Sequence, residues 1–213
     1  MYGTTYEYIN CFRMDAPQPF FDEVKGYLAE MEAAGAEATV LFIHWGVEYQ
    51  LKQNTQQTAI AQGLCDLGVD VIIGGHPHVV QPVELLTSNT DASHKTVCLY
   101  SMGNAVSNQR IKNMNLKTGH TEDGVLFSVT FSKYSDGTVV VESTDVLPYY
   151  VNRYYSSELE RNMFPIVPLV LCAILGSTME RGFVQAMAMS ADSLLIFVQR
   201  PISCGILILA VIL

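Results

Sequence analysis

The chain has 213 residues, enough for one domain with an appendage, and a formal net charge of −9. The charge is uneven: residues 1–160 carry 9 Lys/Arg against 19 Asp/Glu, whereas residues 161–213 carry only Arg161, Arg181, Arg200, Glu180 and Asp192. An acidic surface repels phosphate backbones, which argues against nucleic-acid binding, and five cysteines without a Cys-x-x-Cys pair imply no disulfide framework.

Met1 to Tyr6 has neither a basic start nor an apolar run, so no secretory signal opens the chain. Phe21, Val24, Leu28 and Met31 recur at three- and four-residue spacing among Asp22, Glu23, Glu30 and Glu32. That spacing predicts an amphipathic helix closed by Gly35. Ala38 to Ile43 is a continuous apolar run, a buried strand ending at His44. A second helix covers Thr55 to Leu67, with Ile60, Leu64 and Leu67 inward and Gly68 behind it. Val69 to Ile73 is the next buried strand, terminating in Gly74-Gly75. Helix, strand, helix, strand with short connections predicts an α/β layered core.

Val97 to Tyr100 reads as a short strand before Ser101-Met102-Gly103-Asn104, and Arg110 to Asp123 as an exposed polar loop. Val125–Phe131 and Val139–Ser143 flank Ser135-Asp136-Gly137, the pattern of a β-hairpin turned on Asp-Gly. The domain closes near Leu147 to Val151. Asn162 to Met179 is then eighteen residues without a charge. As a helix it would cover roughly 27 Å, just short of a bilayer core. Pro201 to Leu213 is again uncharged.

Two histidine landmarks stand just past the carboxyl ends of buried strands, where ligand sites of open α/β sheets lie. In His76-Pro77-His78 an extended backbone would set both imidazoles on one side, and Pro77 favours extension at His76. Such a pair suits metal ions about 3.5–4 Å apart, the spacing that clamps phosphoryl oxygens. Gly74 and Gly75 clear the approach to the backbone. The alternative is two surface-loop histidines, or one satisfied by a core carbonyl, and placement after a buried strand and Gly74-Gly75 weighs the two readings equally. His44 alone is a weak signal, with Trp45 as packing and Gly46 as a turn. Glu48 could be a ligand, a carboxylate orienting a histidine or a solvated residue, the last two being favoured. Asn104 is either a turn residue or a neutral amide offered to substrate or metal. His94 and His120 lie in polar loops and receive no role.

His44-Trp45-Gly46-Val47-Glu48-Tyr49, Gln56-Gln57, Leu67 to Pro82 and Tyr100-Ser101-Met102-Gly103-Asn104 together resemble the CapA family of poly-γ-glutamate capsule-synthesis proteins. Tyr2-Gly3-Thr4, Ser107 to Arg110, Thr121 to Gly124 and Leu147-Pro148 are similar too, so the likeness covers about residues 1–155. It implies a partial calcineurin-like metallophosphatase sandwich, with His44, His76 and His78 as metal ligands; Glu48 and Asn104 keep the substrate-facing or supporting roles read from the residues. It also implies divalent Mn, Fe or Zn, an anionic polymer or phosphoester as substrate, and a metal-dependent hydrolase-like activity or a non-enzymatic role in polymer binding. The early Asp, Gly-Asp and Asn-Asn-His-type segments of the family have no match, so the resemblance places Met1 in mid-domain and implies an incomplete site, of low or no activity alone.

Residues 156–163 form the junction. Phe164 to Leu171, Gly176, Glu180-Arg181, Ser190, Asp192 and Arg200 to Ser203 resemble the carboxyl-terminal end of the large membrane subunit of tripartite tricarboxylate transporters, the TctA family. A hydrophobic helical tail over 164–213 and membrane association on the cell-envelope side are the corresponding expectations, with a transporter fragment as the remaining alternative.

Overall fold

Residues 10–163 are described by a computed structural model. The first helix, α1, spans Gln18–Ala33 and begins directly after Pro17, whose ring pre-sets the entry to the helix. It ends as its sequence demands. Gly35 takes φ +88°, its N–H donates to Glu32 O, and the Ala36 N–H donates back to Met31 O. That pairing satisfies the last carbonyls and reverses the chain.

Strand β1 (Val40–His44) follows, then helix α2 (Thr55–Asp66) and strand β2 (Val71–Gly75). Asn54 and Gln57 cap α2 reciprocally, each side chain accepting the other's backbone N–H. Gly68, at φ +94°, closes it, with Val69 N–H donating to Leu64 O. Val69 therefore belongs to the helix cap, and the strand runs two residues further than its apolar run predicts, through Gly74 and Gly75. Asp70 fastens the start of both strands: its carboxylate accepts from Thr39 N–H and Oγ1–H.

Two strands were not both visible in the sequence. Val83–Thr87 (β3) is an unforeseen edge strand, and Lys95–Leu99 (β4) returns beside it. The four form one sheet in the order β1-β2-β4-β3, with β1, β2 and β4 parallel and β3 antiparallel. The α/β class expected from the sequence is what the structure has.

One face of this sheet buries Leu41, Ile43, Ile72, Cys98 and Leu86 against Val24 of α1 and Ile60, Ala61 and Leu64 of α2. On the other face, at the sheet margins, Val40, Phe42, Val83 and Leu85 stay exposed, Phe42 by 74%. Among the described residues nothing pairs with the outer edge of β1. An apolar cavity of about 830 Å³ lies along it, lined by Phe12, Phe20, Leu28, Leu41 and Ile43 and reaching His44 and His76.

The predicted hairpin is present and longer than expected: β5 (Asp123–Lys133) pairs antiparallel with β6 (Val139–Tyr150), with a bulge at Thr130/Phe131. Gly137 turns it at φ +92°, and Asp136 Oδ1 accepts from Thr138 N–H. The loop before it contains a single helical turn, α3 (Ile111–Met114), and a 3-10 turn at His120–Glu122. The short strands β7 (Tyr154–Ser156) and β8 (Arg161–Met163) pair with each other. The chain divides into two compact units, Met1–Tyr154 and Tyr155–Leu213. The expected hydrophobic helix of 164–213 lies outside the described residues, among which no helix is long and apolar enough to cross a membrane.

Gly74 is the most constrained position of the sheet. A Cβ there would overlap the Tyr100 carbonyl and the Trp45 indole nitrogen. Gly75 has open space. Gly74→Ala should therefore lower stability by about 3 kcal/mol, and Gly75→Ala by under about 1 kcal/mol. Urea unfolding followed by the fluorescence of Trp45 measures both; equal effects would contradict the packing described.

Candidate metal centre

Register delivers the first two histidines. His44, the last residue of β1, pairs with Gly75, the last of β2, so His76 emerges beside it. Their ring centroids are 4.6 Å apart. Burial, and then the nearby imidazoles of His76 and His78, pushes the His44 pKa below its ordinary value. A lowered pKa means a ring that is neutral at neutral pH, the form that binds metal.

The His76-Pro77-His78 segment is not extended. His76 has φ +97° and His78 φ +59°, both in the left-handed region. The two imidazoles still face one side, with centroids 6.0 Å apart, but a bend brings them there rather than a strand pleat. Pro77 is buried at the centre of the bend. Its carbonyl accepts from the Tyr49 N–H at 2.8 Å, which joins this segment to the loop that follows β1.

That loop, Trp45 to Asn54, carries Glu48. Trp45 is only 1% exposed, and its Nε1–H donates to Tyr100 O at 2.9 Å, so it packs, as expected, and does not face a ligand. Gly46 turns the chain at φ +88°, and a Cβ there would come within 2.8 Å of the Gln57 carboxamide. Gln57 Nε2 donates to Gln81 Oε1, and Gln81 Nε2 donates to Gln50 O (2.8 Å) and Lys52 O (3.1 Å). Neither glutamine stood out in the sequence as more than part of a family-like stretch; the Asn54-x-x-Gln57 capping pattern was the one local signal.

Glu48 ends up against the histidines. Its carboxylate oxygen is 3.7 Å from His78 Nε2, and Glu48, His76 and His78 each offer one ligand atom within 4.8 Å of the others. His44 is outside that triad but in ring contact with its member His76. Asn104 accounts for the orientation of His78. Its Nδ2 donates to Thr121 O (2.9 Å) and His78 O (3.2 Å), which leaves Oδ1 to accept from His78 Nδ1, 2.9 Å away. In the neutral ring the proton then sits on Nδ1 and the Nε2 lone pair points toward Glu48. Two lone-pair donors facing one another with no proton between them fit a cation. His94 bonds to Val69 O and His120 to Asp123, so both remain outside the cluster.

Residues 12–109 match the family model described as bacterial capsule synthesis protein PGA_cap. The PGA biosynthesis protein CapA of Bacillus subtilis (strain 168) is 32% identical over 111 residues, 52% of this chain and 26% of that protein. The capsule biosynthesis protein CapA of Bacillus anthracis is 36% identical over 91 residues, 41% of this chain and 20% of that protein. The matched stretch thus spans about a quarter or a fifth of these relatives. His44, Glu48, His76, His78 and Asn104 all fall between residues 12 and 109.

The hydrogen-bond pattern at Asn104 makes a spectroscopic prediction. Long-range nitrogen–proton NMR correlations should show His78 protonated at Nδ1 in the neutral ring, and Asn104→Ala should lose that preference and about 2 kcal/mol of stability. A dominant Nε2–H signal in the unsubstituted protein would refute the assignment.

Proposed function

We propose, from the CapA-family character of residues 12–109, that this is a capsule biosynthesis-type protein carrying a metallophosphatase-like metal site. The observation that carries the metal is the convergence of Glu48, His76 and His78 within 4.8 Å. Imidazole and carboxylate together suit Mn, Fe or Zn. His44, against His76, would join the set from the β1 side, on what we take to be a partial calcineurin-like sandwich. A divalent ion held there supplies Lewis-acid polarisation of a phosphoester or amide and lowers the pKa of water. The chain's own residues do the rest. Asn104 keeps the proton of His78 on Nδ1, partial desolvation and the neighbouring imidazoles favour the neutral form of His44, and the bend at Pro77 aims His76 and His78 together.

The substrate class that follows is an anionic polymer of the poly-γ-glutamate kind or a phosphoester linked to it. Assembly or attachment of such a polymer places the work at the cell envelope, with residues 164–213 as the segment for membrane association. In this reading residues 1–155 are the capsule-type domain and 156–163 the junction.

One observation favours a second reading, a polymer-binding component without turnover. Among the described residues the cluster contains a single carboxylate, whereas a two-metal hydrolytic site needs a bridging carboxylate and several further ligands. A transporter role carried by the tail is not favoured.

Metal content tests the proposal. The 213-residue chain should bind Mn²⁺, Zn²⁺ or Fe²⁺ in calorimetry or elemental analysis, and the His76→Ala/His78→Ala double variant should not. Unchanged binding in that variant would sink the metal site. Metal binding without hydrolysis of a generic phosphoester would select the binding role over the hydrolase-like one.

A further inference from the structure

The Gln57–Gln81 pair holds more than its own helix cap. Gln57 is fully buried and Gln81 is 2% exposed, and every amide atom of the two has a task. Gln57 Oε1 accepts from Asn54 N–H, its Nε2 donates to Gln81 Oε1, and Gln81 Nε2 donates to the carbonyls of Gln50 and Lys52. The Gln57 carboxamide also lies on the bare Cα of Gly46. The loop from Gly46 to Asn54 is therefore gripped near both ends and once in the middle, where the Tyr49 N–H meets Pro77 O. Glu48 sits inside the gripped span, with its carboxylate 3.7 Å from His78 Nε2.

We infer that the Gln57–Gln81 carboxamide pair is a positioning device that presents the Glu48 carboxylate to His76 and His78, so that it tunes metal affinity without touching the metal. The inference rests on the metal reading given above. The physical reason lies in the backbone. Glu48 precedes Tyr49, a non-glycine residue at φ +66°, a conformation that persists only where surrounding bonds over-determine it. Gln81 supplies two of those bonds and links them, through Gln57, to the rigid first turn of α2. A glutamate at position 81 could accept but not donate, and two backbone carbonyls would be left facing a carboxylate. Methionine would keep the shape and lose the bonds.

The test is a double-mutant cycle in the full chain, with Mn²⁺ alone as the ligand and amide hydrogen exchange as a second readout. Gln81→Met should speed exchange of the amides between residues 47 and 53 by about tenfold, leaving β2 and β4 protected. It should weaken Mn²⁺ binding by about tenfold, the usual scale for a group that supports a ligand. In a Glu48→Ala background the same substitution should cause no further loss of affinity, because its effect passes through Glu48. A merely structural role would weaken binding equally in both backgrounds, and that result overturns the inference. Unchanged loop exchange in Gln81→Met also overturns it, whatever the metal does. If Glu48→Ala alone leaves Mn²⁺ affinity intact, Glu48 is no ligand, and the metal reading of this residue fails together with the role assigned to the pair.

Discussion

The indole of Trp45 donates to the carbonyl of Tyr100 across the bare Cα of Gly74, and this one contact joins the carboxyl ends of β1, β2 and β4. Both aromatic residues are almost wholly buried, so the bond is made without competing water, where leaving either group unpaired is most expensive. Everything in the candidate site is suspended from these three strand ends. His44 immediately precedes Trp45, His76 comes two residues after Gly74, and Asn104 follows Tyr100 by four. The strand ends that carry the imidazoles are thus tied together by an indole–carbonyl bond that touches none of them.

The remaining geometry is held under strain. Tyr49, His76 and His78 all have positive φ, at about 1–3 kcal/mol each for residues with a side chain. The bonds that offset this run between the strained segments: Tyr49 N–H to Pro77 O, Gln81 N–H to Ser101 O, and His78 to Asn104 on both ring and backbone. Relaxing any of the three residues toward ordinary φ would turn a donor atom away from the others. Strain coincides with the candidate site: a bend, in place of a strand pleat, carries the side chains at positions 76 and 78 toward Glu48 on the neighbouring loop.

Much of this was readable from residue order, for reasons that also mark its limits. Continuous apolar runs ending at His44 and at Gly74-Gly75 announce buried parallel strands, because both faces of such strands need covering. The histidines follow by position. The bend at His76 was hidden because the residue before a proline ordinarily favours extended backbone; tertiary bonds to the neighbouring loop override that preference. Glu48 gave no periodic signal, being a single carboxylate in a loop. Its place depends on Gln57 and Gln81, partners 24 residues apart whose contact no local pattern encodes. Strand β3 was missed for a different reason. Val83-Glu84-Leu85-Leu86-Thr87 breaks strict alternation at Leu86, and only pairing with β4 reveals it. In the hairpin, Asp136-Gly137 located the turn, but the added length of β6 through Pro148 comes from pairing with β5 on one side only, where a missing N–H is tolerated.

The outer edge of β1 has consequences beyond the site. Among the described residues it offers a row of unpaired backbone groups, with Phe42 and Val40 exposed beside them and no lysine, proline or bulge among Val40–His44 to deter a second strand. An open, apolar strand margin of this kind is a template for strand addition, an attraction that net charge opposes only at a distance. Electrostatic repulsion between acidic molecules weakens as salt rises, while strand addition does not, so the same molecule can be well behaved in dilute buffer and self-adhesive in concentrated brine.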